Sequence, residues 1–307
     1  GVGGDGGFTV PEEFRAELLA MTLEDSVVRP RARVIPMTRE TLVFPAIHET
    51  SHAASVFGGV AARWAAEVSD LSTVEDQPTF GQVRMTARKL TSWALASNEL
   101  LQDGAISMEA LLMSLFPQAI GFFEDDAFMS GTGAGQPLGI LNADALISIA
   151  AEPGQAATTI VWENIVRMYS RMLPSSMGRA VWVAHNDTFP QLALMSLAVG
   201  TGGSAIWLNN GVVGPPMTIL GRPVIFTEKC QTLGTAGDIY FADFSYYLLA
   251  DRQSLSIASS LHSHFITDRT AWRFIQRVDG RPWVTSALTP RNGTTTVSPF
   301  VALATPS

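Results

Sequence analysis

Residues 93–141 read WALASNELLQDGAISMEALLMSLFPQAIGFFEDDAFMSGTGAGQPLGIL, and what this stretch forms decides the fold. Leu112, Phe116, Ile120, Phe123 and Ala127 recur at three- and four-residue steps, the spacing of one helix face. Ser107 suits an N-cap, with Ile106 and Leu111 placed as a hydrophobic staple across it. The spacing predicts a helix from Met108 to about Met129, about 33 Å long at 1.5 Å per residue. Pro117 should kink it, because an interior proline removes a hydrogen bond and crowds the preceding turn. The glycines of 131–139 end it. Glu124, Asp125 and Asp126 fall late in this helix, where its dipole disfavours acids. They therefore call for a partner: an arginine on a neighbouring element or subunit, or else a Mg²⁺ or Ca²⁺ ion.

Outward from this helix the chain reads as strands and short helices. PEEF at 11–14 opens a short amphipathic helix, with proline and acids in its first turn. Residues 27–38 alternate apolar and basic side chains around Pro30 and Pro36, an extended arm rather than a core strand. Residues 42–47 are strand-like, and 79–89 alternate as the return strand. Between them lie Gly58-Gly59 and the acids Glu67, Asp70, Glu75 and Asp76. A connection this long is functional or needs a partner.

Beyond the central helix, Trp162, Ile165, Val166, Tyr169 and Leu173 form a helical stripe stopped by Pro174, and 180–184 is an apolar strand. Residues 188–197 read as a helix and Gly200 to Gly203 as a flexible loop. Strands are expected at 217–226, 238–241, 246–250, 254–258 and 297–304. Asp279-Gly280 reads as the turn of a hairpin between 272–278 and 283–288. The class is α+β, without internal repeats or heptads.

Composition narrows the function. Charged residues make up 16% of the 307, against roughly 25% in typical soluble domains, while apolar residues reach 47%; mean hydropathy is +0.20. So few charges leave apolar surface to be covered, and burial in an assembly is the simplest route. The net charge is −8, and Lys89 and Lys229 are the only lysines. That argues against a protein that grips nucleic-acid phosphates. The most apolar stretch, 110–123, is interrupted by Ser114, Pro117 and Gln118 and is shorter than the ~20 residues of a membrane span. A single cysteine, Cys230, excludes an internal disulfide framework and a multi-thiolate zinc site within one chain. The sequence opens at Gly1 in a glycine-rich lead with no signal-peptide pattern, so we expect a removed pro-segment or a start lying upstream.

Several strings invite a chemical reading. His48-Glu49-Thr50-Ser51-His52 has the HExxH spacing of a zinc metalloprotease, in which two histidines on one helix face bind the metal and the glutamate activates its water. Glu67 or Glu75 would be the third ligand. The preceding β-rich residues, Pro45 and the following Gly58-Gly59 oppose a helix there, which favours an exposed loop. Gly131 to Gly135 follows a helix instead of opening one and lacks a P-loop lysine, so it reads as a helix-terminating turn. His262 and His264 would share one strand face as surface residues or a metal pair. His185 near Asp187 reads as a strand-end turn. None of these assembles an active site, and we expect neither enzymatic activity nor a cofactor or structural metal.

The residues resemble the major capsid proteins of tailed bacteriophages, which share the Hong Kong 97 fold. GGFTVPEEF at 6–14, SVV at 26–28 and ARVIP at 32–36 resemble that family's N-terminal arm. LASNELLQD at 95–103 resembles the entry to its spine helix, and FEDDAFMSGTG at 123–133 with QPLGIL at 136–141 its exit, the most specific part. RVDGRPW at 277–283, Thr289-Pro290 and SPFVAL at 298–303 resemble its end. The likeness covers nearly the whole chain and is patchy at 50–77 and 193–210.

This resemblance implies an arm over 1–40, an extended E-loop over 41–90 lying on a neighbouring subunit, a P domain over 91–150 and 268–307, and an A domain over 151–267. It implies a virion shell assembled in the host bacterial cytoplasm from hexamers and pentamers of this chain. A portal protein, a decoration or cement protein and packaged double-stranded DNA, held by enclosure, would be its partners, with no membrane. Candidate inter-subunit contacts are Arg29, Arg31, Arg33, Phe57, Trp64, Glu67, Glu124, Asp125 and Asp126. An encapsulin-like compartment or a gene-transfer-agent head would keep the fold and change the cargo. Some family members crosslink an E-loop lysine to a neighbour's asparagine; residues 48–77 contain no lysine, so no such bond is expected.

Overall fold

The computed structural model describes residues 23–64, 77–103, 108–199, 202–205 and 217–305. The short helix expected from Pro11 and the Ser107 cap lie outside these residues.

The helix expected from Met108 is present as α2, Met108–Ser130. It continues through Pro117, whose missing N–H leaves the preceding turn short of a donor. The Gln118 side chain donates to the Ser114 carbonyl at 3.1 Å, supplying a bond in that turn. The glycine-rich exit is the helix's C-terminal cap. Asn142 Nδ2 donates to the Ser130 and Gly131 carbonyls at 2.8 and 3.1 Å, and Gly139 N donates to Gly131 O at 2.7 Å. These bonds satisfy carbonyls that a helix end otherwise leaves without partners. Gly133 and Gly135 adopt φ of 79° and 78°, which glycine reaches without a Cβ penalty.

One face of α2 covers a four-stranded sheet of order β1-β12-β13-β4. Its strands are β1 (Arg33–Pro36), β12 (Tyr247–His264), β13 (Arg269–Pro282) and β4 (Arg88–Ser97). Phe116 of α2 stacks on Phe274 with ring centroids 4.6 Å apart, and Leu112 and Ile120 pack beside it with Trp272. The arm's extended portion enters as β1, an edge strand parallel to β12. A short helix α1 (Asn98–Asp103) follows β4.

The second sheet has order β5-β14-β11-β6-β10-β9. These are β5 (Ile147–Ile149), β14 (Phe300–Leu303), β11 (Ile239–Ala242), β6 (Val181–Ala184), β10 (Arg222–Phe226) and β9 (Thr218–Ile219). Strands β6, β11 and β14 are buried on both faces, and the period of two assigns alternate residues to two cores. Val181, Val183, Tyr240, Phe300 and Ala302 meet Phe128 and Met129 of α2. Trp182, Phe241, Val301 and Leu303 meet Ile165 and Met168 of helix α3 (Trp162–Ser170). Trp182 stacks on Phe241 at 4.2 Å. Two two-stranded units complete the described structure: β2 (Thr41–Ile47) with β3 (Phe80–Thr86), and β7 (Ser196–Val199) with β8 (Gly202–Ala205).

The fold departs from local reading in four places. The helix expected over 188–197 stops early: α4 is Phe189–Ala193, and the following residues pair with β8 as β7. Gly202 and Gly203, expected in a flexible loop, are held in that pairing. Residues 217–226 form two strands turning at Leu220-Gly221, whose φ of 50° and 74° suit a tight hairpin. Asp279-Gly280 is not a turn. Strand β13 runs through it and pairs with the continuous β12, the hairpin turning instead at 265–268. Gly280 is needed for space, since a Cβ there would lie 2.7 Å from Tyr247 Oη and 2.8 Å from Phe128. The sheets also cross the divisions expected at 150/151 and 267/268, because β14 pairs with β5 and β11, and β12 with β13.

Asp238 leads into β11 fully buried, accepting from Gly234 N and Ile239 N at 2.9 and 2.7 Å. Burial outweighs these donors and pushes its carboxyl up to about 6. A carboxyl whose folded value is raised loses stability as pH rises, between its unfolded value near 3.8 and its folded value. The melting-temperature difference between wild type and Asp238→Asn should therefore fall from pH 4 to about pH 6.5 and then level off. A difference that is constant or rises over that window would contradict the assignment.

Candidate functional site

The acids that end α2 find their partners within the same chain. Asp125 is 1% exposed and accepts from Ser26 Oγ (2.7 Å), Val27 N (2.9 Å), Val28 N (2.9 Å) and Lys229 Nζ (3.0 Å). The Lys229 side chain is fully buried and also reaches Glu24 at 3.3 Å and the Asp25 carbonyl at 3.3 Å; its ammonium lies 5.0 Å from the Phe122 ring centre. Glu124 pairs with Arg29 and accepts from Gln276 Nε2 at 3.2 Å. Arg29 forks onward to both Asp251 oxygens at 2.8 and 3.1 Å. Burial pushes the Glu124 carboxyl above its ordinary value against the opposing pull of Arg29, and burial likewise raises Asp126, which Ser130 hydrogen-bonds.

This network clamps residues 24–29 of the arm to the end of α2, the segment carrying Lys229 and strand β12. An isolated buried charge is costly, and the interlocking of both signs is what lets these groups sit inside. Of the residues expected at subunit contacts, Glu124 and Asp125 are buried with partners in the same chain, and the half-buried Arg29 bridges Glu124 and Asp251. The arginine anticipated for the acids is Arg29, 95 residues away from Glu124 in sequence.

Of the other candidates, Arg31 is exposed and donates to the Val27 carbonyl at 2.9 Å, and Arg33 is exposed on β1. Phe57 and Trp64 are exposed, the latter at 106% of its reference area, while Glu67 lies outside the described residues. In the β2–β3 hairpin Leu42, Phe44, Val83 and Met85 turn inward. Ile47 and Phe80, directly paired across the strands, are exposed beside Val43.

A second exposed apolar group was missed by sequence reasoning. It caps the β12–β13 hairpin, where Phe265 and Ile266 are 80% and 99% exposed, with Leu261 beside them and Trp93 and Leu95 on neighbouring β4. The signal was a turn built of Phe-Ile where polar residues are usual. Exposed apolar groups of this kind mark contact surfaces.

The HExxH string is not helical. It follows β2 as loop, with His52 Nε2 2.6 Å from Glu49 Oε1 and the same oxygen accepting from Phe57 N at 2.8 Å. The i,i+4 helical face that zinc chemistry requires is therefore not formed. His262 and His264 lie on β12, His264 beside the Trp93 ring, and His185 Nδ1 accepts from Asp187 N at 3.2 Å as a turn. Among the described residues no group of ligating side chains could hold a metal ion, and no helix is long and apolar enough to cross a membrane.

The phage capsid family matches residues 6–292, and the chain belongs to that family. It is 25% identical over 277 residues to the major capsid protein of Klebsiella oxytoca phage phiKO2, an alignment covering 86% of this chain; the chain spans about 60% of the length of that relative. Its fold is similar to the capsid of a native GTA particle, with a TM-score of 0.77, 17% identity, and coverage of 100% of this chain and 98% of that one. It is also similar to structures from Microbacterium phage Oxtober96 (TM-score 0.70, 15% identity, 98% and 97% covered) and Mycobacterium phage Bobi (TM-score 0.67, 17% identity, 97% and 96% covered). The fold is the Hong Kong 97-type α+β capsid fold that the sequence resembles.

Proposed function

We propose that this chain is the major capsid protein of a tailed-phage head, tiling an icosahedral shell as hexamers and pentamers around packaged double-stranded DNA. The family match over 6–292 carries the reading. The two exposed apolar groups, at the β2–β3 hairpin and the β12–β13 tip, supply the surfaces that neighbouring copies would cover. Trp64, Phe57 and Glu67 would act on the E-loop, Arg31 and Arg33 on the arm. Asp126 is partly exposed and could reach a neighbour; Arg29, Glu124 and Asp125 would act indirectly, by holding the arm in place.

Within this reading the four-stranded sheet with α2 is the P domain, and the six-stranded sheet is the A domain, with strands exchanged across the expected boundaries. Removal of an N-terminal segment, a portal protein, a decoration protein and assembly in the host cytoplasm follow from the family resemblance. The net charge of −8 suits a shell that encloses DNA without gripping it. A tight, salt-sensitive affinity of intact shells for DNA would contradict that part. A gene-transfer-agent head or an encapsulin-like compartment shares the fold, and sequencing the enclosed nucleic acid separates these cargoes.

Two experiments follow. Phe265→Ser with Ile266→Ser changes two exposed side chains, so the variant should fold with an unchanged melting temperature yet lose shells, sedimenting as small oligomers. Wild-type yields of shells from this variant would remove the tip from the contact surfaces. Shells boiled in detergent should run as a single monomer band. Lys229 is buried, and the exposed Lys89 lies in β4, outside the lysine-free stretch 48–77. A ladder of covalent multimers would contradict the non-covalent reading.

A further inference from the structure

We infer that residues 48–53, the HExxH string and its following alanine, are a strap that aims the β2–β3 hairpin from within the subunit. The inference rests on the shell reading, because aiming the hairpin matters only where a neighbour receives it.

The strap has a receiving segment, residues 285–291. His52 N donates to Thr289 O at 2.8 Å and Thr289 N to Thr50 O at 2.9 Å, setting Thr289 opposite Ser51 in a parallel bridge. Arg291 donates to the Ala53 carbonyl at 2.7 Å, and His48 Nδ1 lies 3.2 Å from Thr285 Oγ1. The receiving segment is itself fastened to the body. Leu288 and Val297 exchange two backbone bonds of 2.8 Å, and Ser298 bonds to Arg171 and Leu173 just beyond α3.

On its other side the strap is a closed turn. Glu49 accepts from Phe57 N, His48 N donates to Thr79 O at 2.9 Å, and Gly58 O accepts from both Thr79 N and Thr79 Oγ1 at 3.1 and 2.7 Å. Gly58 at φ 71° tolerates no side chain, since a Cβ would lie 2.6 Å from His48 O. The string that looked like a metal site is thus a set of loop-closing acceptors and donors.

The hairpin therefore has two supports. Its base is packed through Val83 and Met85 and bonded by Ala87 N to Glu40 O at 2.8 Å. Its far end is held by the strap, seven residues along β2, about 20 Å at 3.4 Å per residue. Between the supports lies a cleft of about 630 Å³ lined by Phe44, Leu248, Trp283 and Val297, so packing alone does not fix the far end. A hairpin held at both ends meets its neighbour already oriented, and such preorganisation lowers the ordering cost of each contact.

Hydrogen exchange on the unassembled full-length chain tests the strap, and assembly kinetics test its role. Thr289→Pro deletes one strap donor while keeping the extended backbone that the Leu288 bridge requires; Arg291→Ala removes another donor with no backbone change. The His52 amide should be protected in wild type and exchange about tenfold faster in Thr289→Pro, with the Tyr240 and Phe241 amides unchanged. Shell formation should slow about tenfold in Thr289→Pro and by a smaller factor in Arg291→Ala. Unprotected His52 and Thr289 amides in the wild-type free subunit would overturn the strap, whether or not shells form. Wild-type assembly rates in Thr289→Pro would overturn its aiming role. If Thr289→Pro loses core protection, Arg291→Ala decides: slower assembly supports the role and an unchanged rate overturns it. A wild-type chain that never forms shells contradicts the shell reading, while its amide protection still judges the strap.

Discussion

Replacing Asp125 by alanine should lower the stability of the unassembled subunit by about 3–5 kcal/mol, the usual cost of removing one member of a buried ion pair. Four donors converge on this carboxylate, and one belongs to Lys229, whose side chain is fully buried. Without Asp125 the ammonium keeps only Glu24 at 3.3 Å and a carbonyl as polar partners, and two arm amides lose their acceptor. The arm should detach from the end of α2, so proteolysis near residue 26 should accelerate. Lys229→Met is the informative comparison. It removes the cation and leaves Asp125 with three neutral donors, so it should cost clearly less than Asp125→Ala. Denaturant unfolding of both variants checks the order. Equal costs, or a near-neutral Asp125→Ala, would mean that the clamp is not holding the arm.

The second large effect is expected at Gly139. Its φ of −71° suits any residue, so the demand there is for space. A Cβ would fall 2.5 Å from Gly131 N and 2.6 Å from Met129 O, both backbone atoms at the end of α2. A flexible side chain could move aside; a capped helix end cannot without losing its bonds. Overpacking commonly costs 1–3 kcal/mol, and a backbone clash puts Gly139→Ala at about 3 kcal/mol or beyond. Gly135→Ala is the contrast, since a Cβ there meets nothing within 4 Å and only its φ of 78° is strained. Thermal unfolding should place Gly135→Ala well above Gly139→Ala, and the reverse order would contradict this account of the cap.

Much of the fold was legible locally. The α2 stripe with its glycine exit located the helix to within a residue at its end, because periodicity and termination are both local signals. The β2–β3 pairing followed from a strand-like run at 42–47 and the alternating return at 79–89. What escaped depends on partners distant in sequence. Asp279-Gly280 has the local chemistry of a turn, and only the approach of Phe128 and Tyr247 reveals why glycine stands there. The need for a partner at 124–126 was legible from the dipole, but Lys229 lies 104 residues from Asp125 and carries no local mark. Residues 188–197 carry helical character that pairing with β8 overrides. Among the exposed apolar side chains, Phe57 and Trp64 were readable as exposed loop aromatics, whereas the Phe265-Ile266 tip needed the true position of the hairpin turn.

Electron microscopy of the purified full-length protein tests the central claim most directly. The account predicts closed shells of uniform size with hexameric and pentameric units in the lattice. A protein that stays monomeric or forms only amorphous aggregates, under conditions where its melting transition shows it folded, would contradict it.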